Sequence, residues 1–217
     1  FKDLGDVVRT VIFSPDDLEL LKGSPAMRRG LVDDVLASID SQFRAVRTDF
    51  DHILRQRNNL LKQGRGRLTP ELEANLDIWN EQFIEVSNEI GRCRSNFVEK
   101  IEPIVADFYL RVAGTDDQVS LALDANWREH GLEKTLSETQ AEEIRRGVTL
   151  VGPHRDDLII LLSQLHSRTQ ASQGEQRSLA LALRLATHAH IAQTCGDSPL
   201  VLLDDVFSEL DEGRARR

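Results

Sequence analysis

The sequence predicts an α/β protein in which a two-helix arm is inserted between two stretches of strand-and-helix head. Three patterns lead there. Residues 7–22 read as a short apolar strand running into a capped helix. Between 41 and 97, two long helices carry apolar residues at alternating steps of three and four. After 113, short strand-like runs return and finish in the apolar stretch Leu200-Val201-Leu202-Leu203, followed by Asp204 and Asp205. The expected organisation is 1–13 as part of a head, 14–112 as the arm, and 113–217 as the rest of the head.

Composition bounds the function. With 40% hydrophobic and 29% charged residues in 217, the chain is long enough for one or two packed domains and too apolar to be disordered. It has no run of about 18 apolar residues for a membrane span, and its start does not resemble a signal peptide. Cys93 and Cys195 stand far apart without metal-ligand spacing, which fits a reducing compartment, so a cytoplasmic location is expected. A net charge of −9 argues against adhesion to nucleic acid over the whole surface but leaves room for a local basic patch. The chain opens with Phe1 and stops at Arg217 soon after an apparent strand and turn, so it is expected to be a piece of a larger protein.

The elements follow in order. Val7 to Phe13 form the first strand, and Ser14-Pro15 caps a helix from about 15 to 22. Gly23-Ser24-Pro25 interrupts it, and another helix runs toward Ile39. From Ser41 to Lys62, Phe43, Val46, Phe50, Ile53 and Leu60 keep a helical period, with Arg57 standing in the seam slot between the last two. Gln63-Gly64-Arg65-Gly66-Arg67 ends this helix. Thr69-Pro70-Glu71 starts the next, with a capping threonine, proline at the first position and an acid in the first turn. Leu72, Leu76, Trp79, Phe83, Val86, Ile90, Cys93 and Phe97 then continue a coiled-coil seam. Two such helices joined by a short loop should pack antiparallel.

Charge divides between them. Residues 41–67 hold seven Lys or Arg against two Asp, whereas 71–89 hold six acids and no base. Exposed pairs add only about 0.2–1 kcal/mol each, so the apolar seam must dominate. Arg55, Arg57, Lys62, Arg65 and Arg67 read either as a solvated exterior or as a surface for DNA phosphate or an acidic partner. After Ile101-Glu102-Pro103 the pattern predicts strands at Val119–Asp124, Val148–Val151 and 156–162, with a charged helix near 137–146 between the first two.

Two constellations carry chemistry. Leu200 to Leu203 fit a strand buried on both faces in a parallel sheet, and Asp204 and Asp205 fall at its C-terminal end, where open α/β sheets place ligands. One acid there suits Mg²⁺, and its neighbour suits orientation or deprotonation of a water. Apolar strands ending in Asp-Asp are common, and this pattern alone is weak. Thirty-two residues earlier, Ser172-Gln173-Gly174-Glu175-Gln176-Arg177 opens a helix. A capping box explains Ser172 and Glu175. It does not call for Gly174, a poor helix former that lets an anion approach the backbone N–H groups. Phe207-Ser208-Glu209-Leu210-Asp211 then reads as a polar turn with a helix cap.

Order and spacing make the set more specific than any member. Residues 171–186, from Ala171-Ser-Gln-Gly-Glu-Gln-Arg, and Val201-Leu-Leu-Asp-Asp-Val-Phe-Ser-Glu-Leu-Asp211 resemble the RecF family. So do Gly152-Pro-His-Arg-Asp-Asp-Leu158, Phe13-Ser-Pro-Asp-Asp-Leu-Glu-Leu20 and Arg57-Asn-Asn-Leu-Leu-Lys62. The resemblance spans nearly the whole chain and implies a partial ABC-type ATPase head of the SMC/Rad50-like branch with a short helical arm. It implies ATP and Mg²⁺ as cofactors, an ATP-dependent homodimer and binding to DNA near single-strand/double-strand junctions. Cooperation with RecR and RecO in replication, recombination and gap repair, including recombinase loading, is implied too. Ser172 and Gly174 would touch ATP held by the other subunit, Asp204 would hold Mg²⁺, Asp205 would activate water, and Ser208 and Asp211 would form the dimer loop. Related ATPases mostly carry Glu where Asp205 stands, and slow, switch-like hydrolysis is expected. No chemistry attaches to His154 and Arg155, and His188 and His190, two apart on a helix, do not share a face for metal.

One departure limits the expectation. A P-loop needs G-x-x-x-x-G-K-[ST], and the 217 residues contain no Gly-Lys dipeptide. The intact protein is therefore expected to be an ATPase, and this piece to be inactive alone. The rival expectations are another SMC-like or transporter-type cassette, separable by DNA-stimulated hydrolysis, and a non-enzymatic helical scaffold for protein partners, separable by its failure to bind ATP.

Overall fold

A computed structural model describes residues 10–13 and 15–203. The chain forms two compact units interleaved in sequence, one comprising the described parts of 1–39, 96–123 and 158–217, the other 40–95 and 124–157. This partition differs from the expected arm of 14–112: the helix before residue 40 groups with the head segments, and 124–157 groups with the hairpin.

In the unit built on 40–95, α3 (Ser41–Gln63) begins where the extended Asp40 accepts a hydrogen bond from the Gln42 N–H at 2.8 Å. The hairpin partner α4 (Pro70–Ala113) begins where Thr69 Oγ1 accepts from the Leu72 N–H at 3.2 Å. The helices run antiparallel, as pairs converging toward the loop show: Phe50 stacks on Phe83 at 5.6 Å, and Leu61 joins Leu72 and Leu76 in one cluster with Ile144. Leu76, Phe83 and Ile90 are buried at the seam positions that the heptad pattern assigned.

Helix α4 runs through Pro103, where the sequence pattern was expected to change. Pro103 is exposed, so the carbonyl it leaves without an amide is on a wet face. Phe97, Ile101, Val105 and Tyr109 are buried along the other face. Their burial, about 1.5–3 kcal/mol per large side chain, exceeds the roughly 3 kcal/mol cost of an internal proline.

The segment Val148–Val151 is not the expected strand. Helix α6 (Leu132–Arg146), which follows the single-turn α5 (Trp127–His130), ends at left-handed Gly147, and the Val148 N–H still donates to Glu143 O at 3.2 Å. The next amides donate to side chains, Thr149 to Asn58 Oδ1 and Leu150 to Glu143 Oε1, each at 2.7 Å. Local and tertiary acceptors thus replace a β ladder. In the turn that follows, Gly152 has φ +117°, and an added Cβ would meet Phe83 Cζ at 2.8 Å. Gly152→Ala is expected to destabilise the protein by about 1–3 kcal/mol, read as a lower urea midpoint; an unchanged midpoint would show that the turn relaxes freely.

In the other unit, β1 (Thr10–Phe13) leads through a 3-10 turn into α1 (Glu19–Lys22) and α2 (Pro25–Ile39). A sheet of order β2-β3-β4 is made by Val119–Asp124, Asp157–Leu162 and Leu165–His166, with β3 and β4 antiparallel. The short α7 (Ser167–Gln170) precedes α8 (Gln173–Cys195), which packs against α2 and β1 and is closed by left-handed Gly196. Strand β5 (Leu200–Leu203) pairs parallel with β1, Thr10 opposite Leu200 and Phe13 opposite Leu203.

Candidate functional site

The start of α8 realises the capping box. Ser172 is the N-cap, its Oγ accepts from the Glu175 N–H at 3.3 Å, and Glu175 Oε2 accepts from the Ser172 N–H at 2.6 Å. The cap orients the serine without using its hydroxyl proton, which stays available as a donor. Ser172 is exposed and Gly174 half-buried, so a helix N-terminus and a serine hydroxyl face solvent together, with no side chain at Gly174. Helix dipole and uncommitted first-turn amides favour an anion there.

The start of α8 is also anchored. Gln176 is buried and donates from Nε2 to the carbonyls of Ser167 at 3.0 Å and Arg168 at 3.2 Å. Ser167 Oγ in turn donates to Ile160 O at 2.8 Å, tying the loop to β3. Further along, Arg184 holds Asp17 through two bonds of 2.8 and 2.6 Å. Leu179, Leu183 and Ala186 are fully buried, so the loop before α8 is held by its own helix. Gln176 belongs to the motif, but its anchoring role was not visible in the sequence because its acceptors are backbone carbonyls of an irregular segment.

The constellation at the end of β5 is only partly within the described residues. The β1–β5 pairing is parallel, as expected, which brings the C-terminal ends of both strands side by side. The expectation of burial on both faces does not hold: Leu200, Val201 and Leu202 are 53, 37 and 45% exposed. Among the described residues β5 has β1 as its sheet neighbour; a strand's faces are buried by layers packed on the sheet, and α8 packs against β1. Asp204, Asp205, Ser208 and Asp211 lie outside the described residues.

The basic residues of the hairpin separate into two groups. Arg55, Lys62, Arg65 and Arg67 are exposed. Arg57 is 1% exposed, which corrects its expected place on a DNA- or partner-facing surface. Its Nη2 donates to Glu143 Oε2 at 2.6 Å, Nη1 to Thr149 Oγ1 at 2.8 Å and Nε to Asn80 Oδ1 at 2.8 Å. Thr149 Oγ1 donates onward to Asn58 Oδ1 at 2.8 Å. Arg57 occupies the seam slot, and its charge is neutralised there by Glu143 of α6.

A parallel frame holds the Gly152-Pro-His-Arg-Asp-Asp motif. Buried Asp156 accepts from Arg94 Nη1 at 2.9 Å and from Trp127 Nε1 at 2.7 Å, while Arg94 also donates to Pro153 O at 2.7 Å. His154 Nε2 and Arg155 Nη2 both reach Thr149 O, at 3.1 and 3.2 Å. These contacts give the motif a structural role. His188 Nε2 bonds to Pro199 O at 3.1 Å, whereas His190 packs edge-on against Phe97 at 5.4 Å. Burial, with a smaller contribution from Lys100, holds the His190 imidazole below its usual value. Neither arrangement is that of a metal ligand pair, and among the described residues no group of three His, Cys, Asp or Glu could hold a metal ion.

No family model matches the chain. Comparison with individual proteins is decisive. The chain is 36% identical over its whole length to the DNA replication and repair protein RecF of Pseudarthrobacter chlorophenolicus, covering 63% of that protein. It is 37% identical over its whole length to RecF of Acidothermus cellulolyticus, covering 61%, and 39% identical over 99% of its length to RecF of Heliobacterium modesticaldum, covering 59%. This stretch of chain belongs to the RecF family.

Solved RecF structures agree. The recombination mediator protein RecF-ATPrS in the RecFOR pathway superposes with a TM-score of 0.87 at 30% identity, over 99% of this chain and 60% of that one. RecF-ATP of the same pathway gives 0.87 at 30% identity, over 97% of this chain and 58% of that one. The fold is accordingly that of part of a RecF ABC-type ATPase head with an inserted antiparallel helical hairpin. The chain spans about three fifths of the length of the RecF relatives it matches. Among the described residues no helix is long and apolar enough to cross a membrane.

Proposed function

We propose that this chain is the signature-helix portion of a RecF-type ATPase whose intact form dimerises on ATP, binds DNA at gaps and junctions, and hydrolyses ATP slowly. Its role is then in replication, recombination and gap repair, with RecO and RecR as partners in loading recombinase, and its location is the cytoplasm. The observation that carries the reading is the start of α8, where an oriented Ser172 hydroxyl and Gly174 meet at a solvent-facing helix N-terminus braced by Gln176. Such a surface suits the terminal phosphate of a nucleotide, and the solved relatives are RecF-ATP and RecF-ATPrS.

In this reading Ser172 donates its hydroxyl proton, and the backbone at Gly174 its N–H, to ATP held by the other protomer. Parallel β1–β5 pairing brings both strand ends together, which suits Asp204, next in sequence after Leu203, as the residue that holds Mg²⁺. When bound, the metal neutralises charge developing on the transferred phosphoryl group. Asp205 orients and deprotonates the attacking water, and Ser208 and Asp211 meet the other protomer beside it.

Ser172→Arg in the full-length protein tests this directly. The bulky cation fills the space that the phosphate needs, so ATP-driven dimerisation should weaken by roughly 30-fold or more, about 2 kcal/mol. ATP binding by the monomer should survive. Sedimentation velocity with and without ATP reads the first and labelled-nucleotide binding the second; normal ATP-driven dimers would overturn the assignment.

A further inference from the structure

The hairpin loop and the end of α6 meet in the unit built on 40–95 and 124–157, although about 80 residues separate them in sequence. Leu61 and Ile144 share a buried cluster, and a Cβ added at Gly147 would lie 3.4 Å from Lys62 Cα. The C-terminal turns of α3 and α6 therefore end beside one another. Exposed Lys62, Arg65 and Arg67 come from one segment, and Arg145 and Arg146, 68 and 55% exposed, from the other. The loop is well defined: the Arg65 N–H donates to Lys62 O at 3.2 Å, the Arg67 N–H donates to Gly64 O at 2.9 Å, and Arg65 and Gly66 take left-handed φ of 46° and 77°. Beside it is a hollow of about 530 Å³ lined by Arg65, Arg67, Thr69, Glu71 and Asn75 among others.

In a chain with net charge −9, gathering five cations at one end of a unit is a segregation of charge. Two carboxylates temper it. Glu71 lines the hollow, and Glu142 is bound by both Arg145 and Arg146, which hold its carboxyl down at about 2. Each guanidinium keeps further N–H donors for an outside acceptor. The exposed apolar side chain in this loop is Leu68, whereas a protein interface centres on buried aromatic or aliphatic anchors. Outward cations without an apolar centre suit a phosphate backbone.

We infer that Lys62, Arg65, Arg67, Arg145 and Arg146 form one composite patch that contacts the DNA phosphate backbone without reading sequence, with Glu142 limiting its strength. This rests on the DNA-binding reading above and adds where the duplex touches the arm.

The experiment uses the full-length protein, a short mixed-sequence DNA duplex and fluorescence anisotropy over a salt series, with ATP-driven dimerisation measured in parallel. R65A/R67A and R145A/R146A should each weaken binding on the order of tenfold or more and flatten the dependence of log K on log salt by about one for each phosphate no longer neutralised. Dimerisation should be unchanged. Glu142→Gln, which removes a competing carboxylate, should move both quantities the other way. Variants that dimerise normally and bind DNA with wild-type affinity and salt slope would overturn the patch and leave the ATPase reading intact. Loss from R65A/R67A alone would restrict contact to the loop and overturn the composite site. Wild-type protein that dimerises with ATP but binds no duplex would overturn the underlying DNA-binding reading. Tighter binding to an acidic polypeptide than to duplex at matched charge would assign the patch to a protein partner and overturn it as a DNA contact.

Discussion

Arg57→Ala is expected to destabilise the protein by about 3–5 kcal/mol, the cost of breaking a buried ion pair from one side. Arg57 and Glu143 are 1 and 0% exposed at their side chains and 2.6 Å apart. Removing the guanidinium leaves the Glu143 carboxylate in the interior with the Leu150 N–H as a remaining donor at 2.7 Å. It also removes the donors to Thr149 Oγ1 and Asn80 Oδ1 and the cation 5.5 Å above the Phe83 ring. Against a typical total of about 5–15 kcal/mol, that loss brings the protein close to unfolding. Replacing both partners, Arg57→Met with Glu143→Leu, should recover most of it, because two apolar groups of similar size avoid the cost of an unpaired charge. Urea midpoints followed by circular dichroism make the comparison. A single substitution costing under about 1 kcal/mol would falsify the view that Arg57 is what compensates the buried Glu143 carboxylate. The same series separates Arg57 from the exposed cations, whose removal should alter DNA affinity and leave the midpoint nearly unchanged.

Asp205→Asn in the full-length protein is expected to lower ATP turnover by about 10²–10⁴-fold, the usual worth of a positioned general base, while preserving ATP binding and ATP-driven dimerisation. Asparagine keeps the size of the side chain and loses the capacity to accept the proton of the attacking water. Phosphate release measures turnover, and sedimentation measures assembly. Ser172→Arg should differ in weakening assembly, while both variants keep nucleotide binding. Hydrolysis at the wild-type rate would remove Asp205 from the mechanism, and loss of ATP binding would point to a role in holding the nucleotide.

Some of this protein is legible locally. Thr69-Pro70-Glu71 marks the start of α4 because cap, proline and first-turn acid act on neighbouring backbone amides. Ser172 and Glu175 form their capping box for the same reason. The hairpin seam is legible because a helix repeats its faces every 3.6 residues, and Leu76, Phe83 and Ile90 are buried where that period puts them. The persistence of α4 through Pro103 is different. It depends on what covers Ile101, Val105 and Tyr109, and proline is a strong local signal for the opposite outcome.

The helical hairpin and the capped start of α8 follow from the chain's own pattern, since caps, turns and hydrophobic periods are properties of adjacent residues, whereas the strand expected at Val148–Val151 does not form because tertiary acceptors take its amides. Which charges are buried is settled by tertiary packing and by nothing earlier. Arg57 and Lys62 are five positions apart on one helix, and the helical period puts Arg57 in the seam and Lys62 on another face, but it does not say that a charge in the seam will be accepted. Arg57 meets Glu143 and Thr149, whereas Lys62 stays exposed beside Gly147 at the end of α6. A charge becomes structural when a distant segment supplies its counter-charge and excludes water, and that segment, 124–157, is brought to the hairpin only by folding.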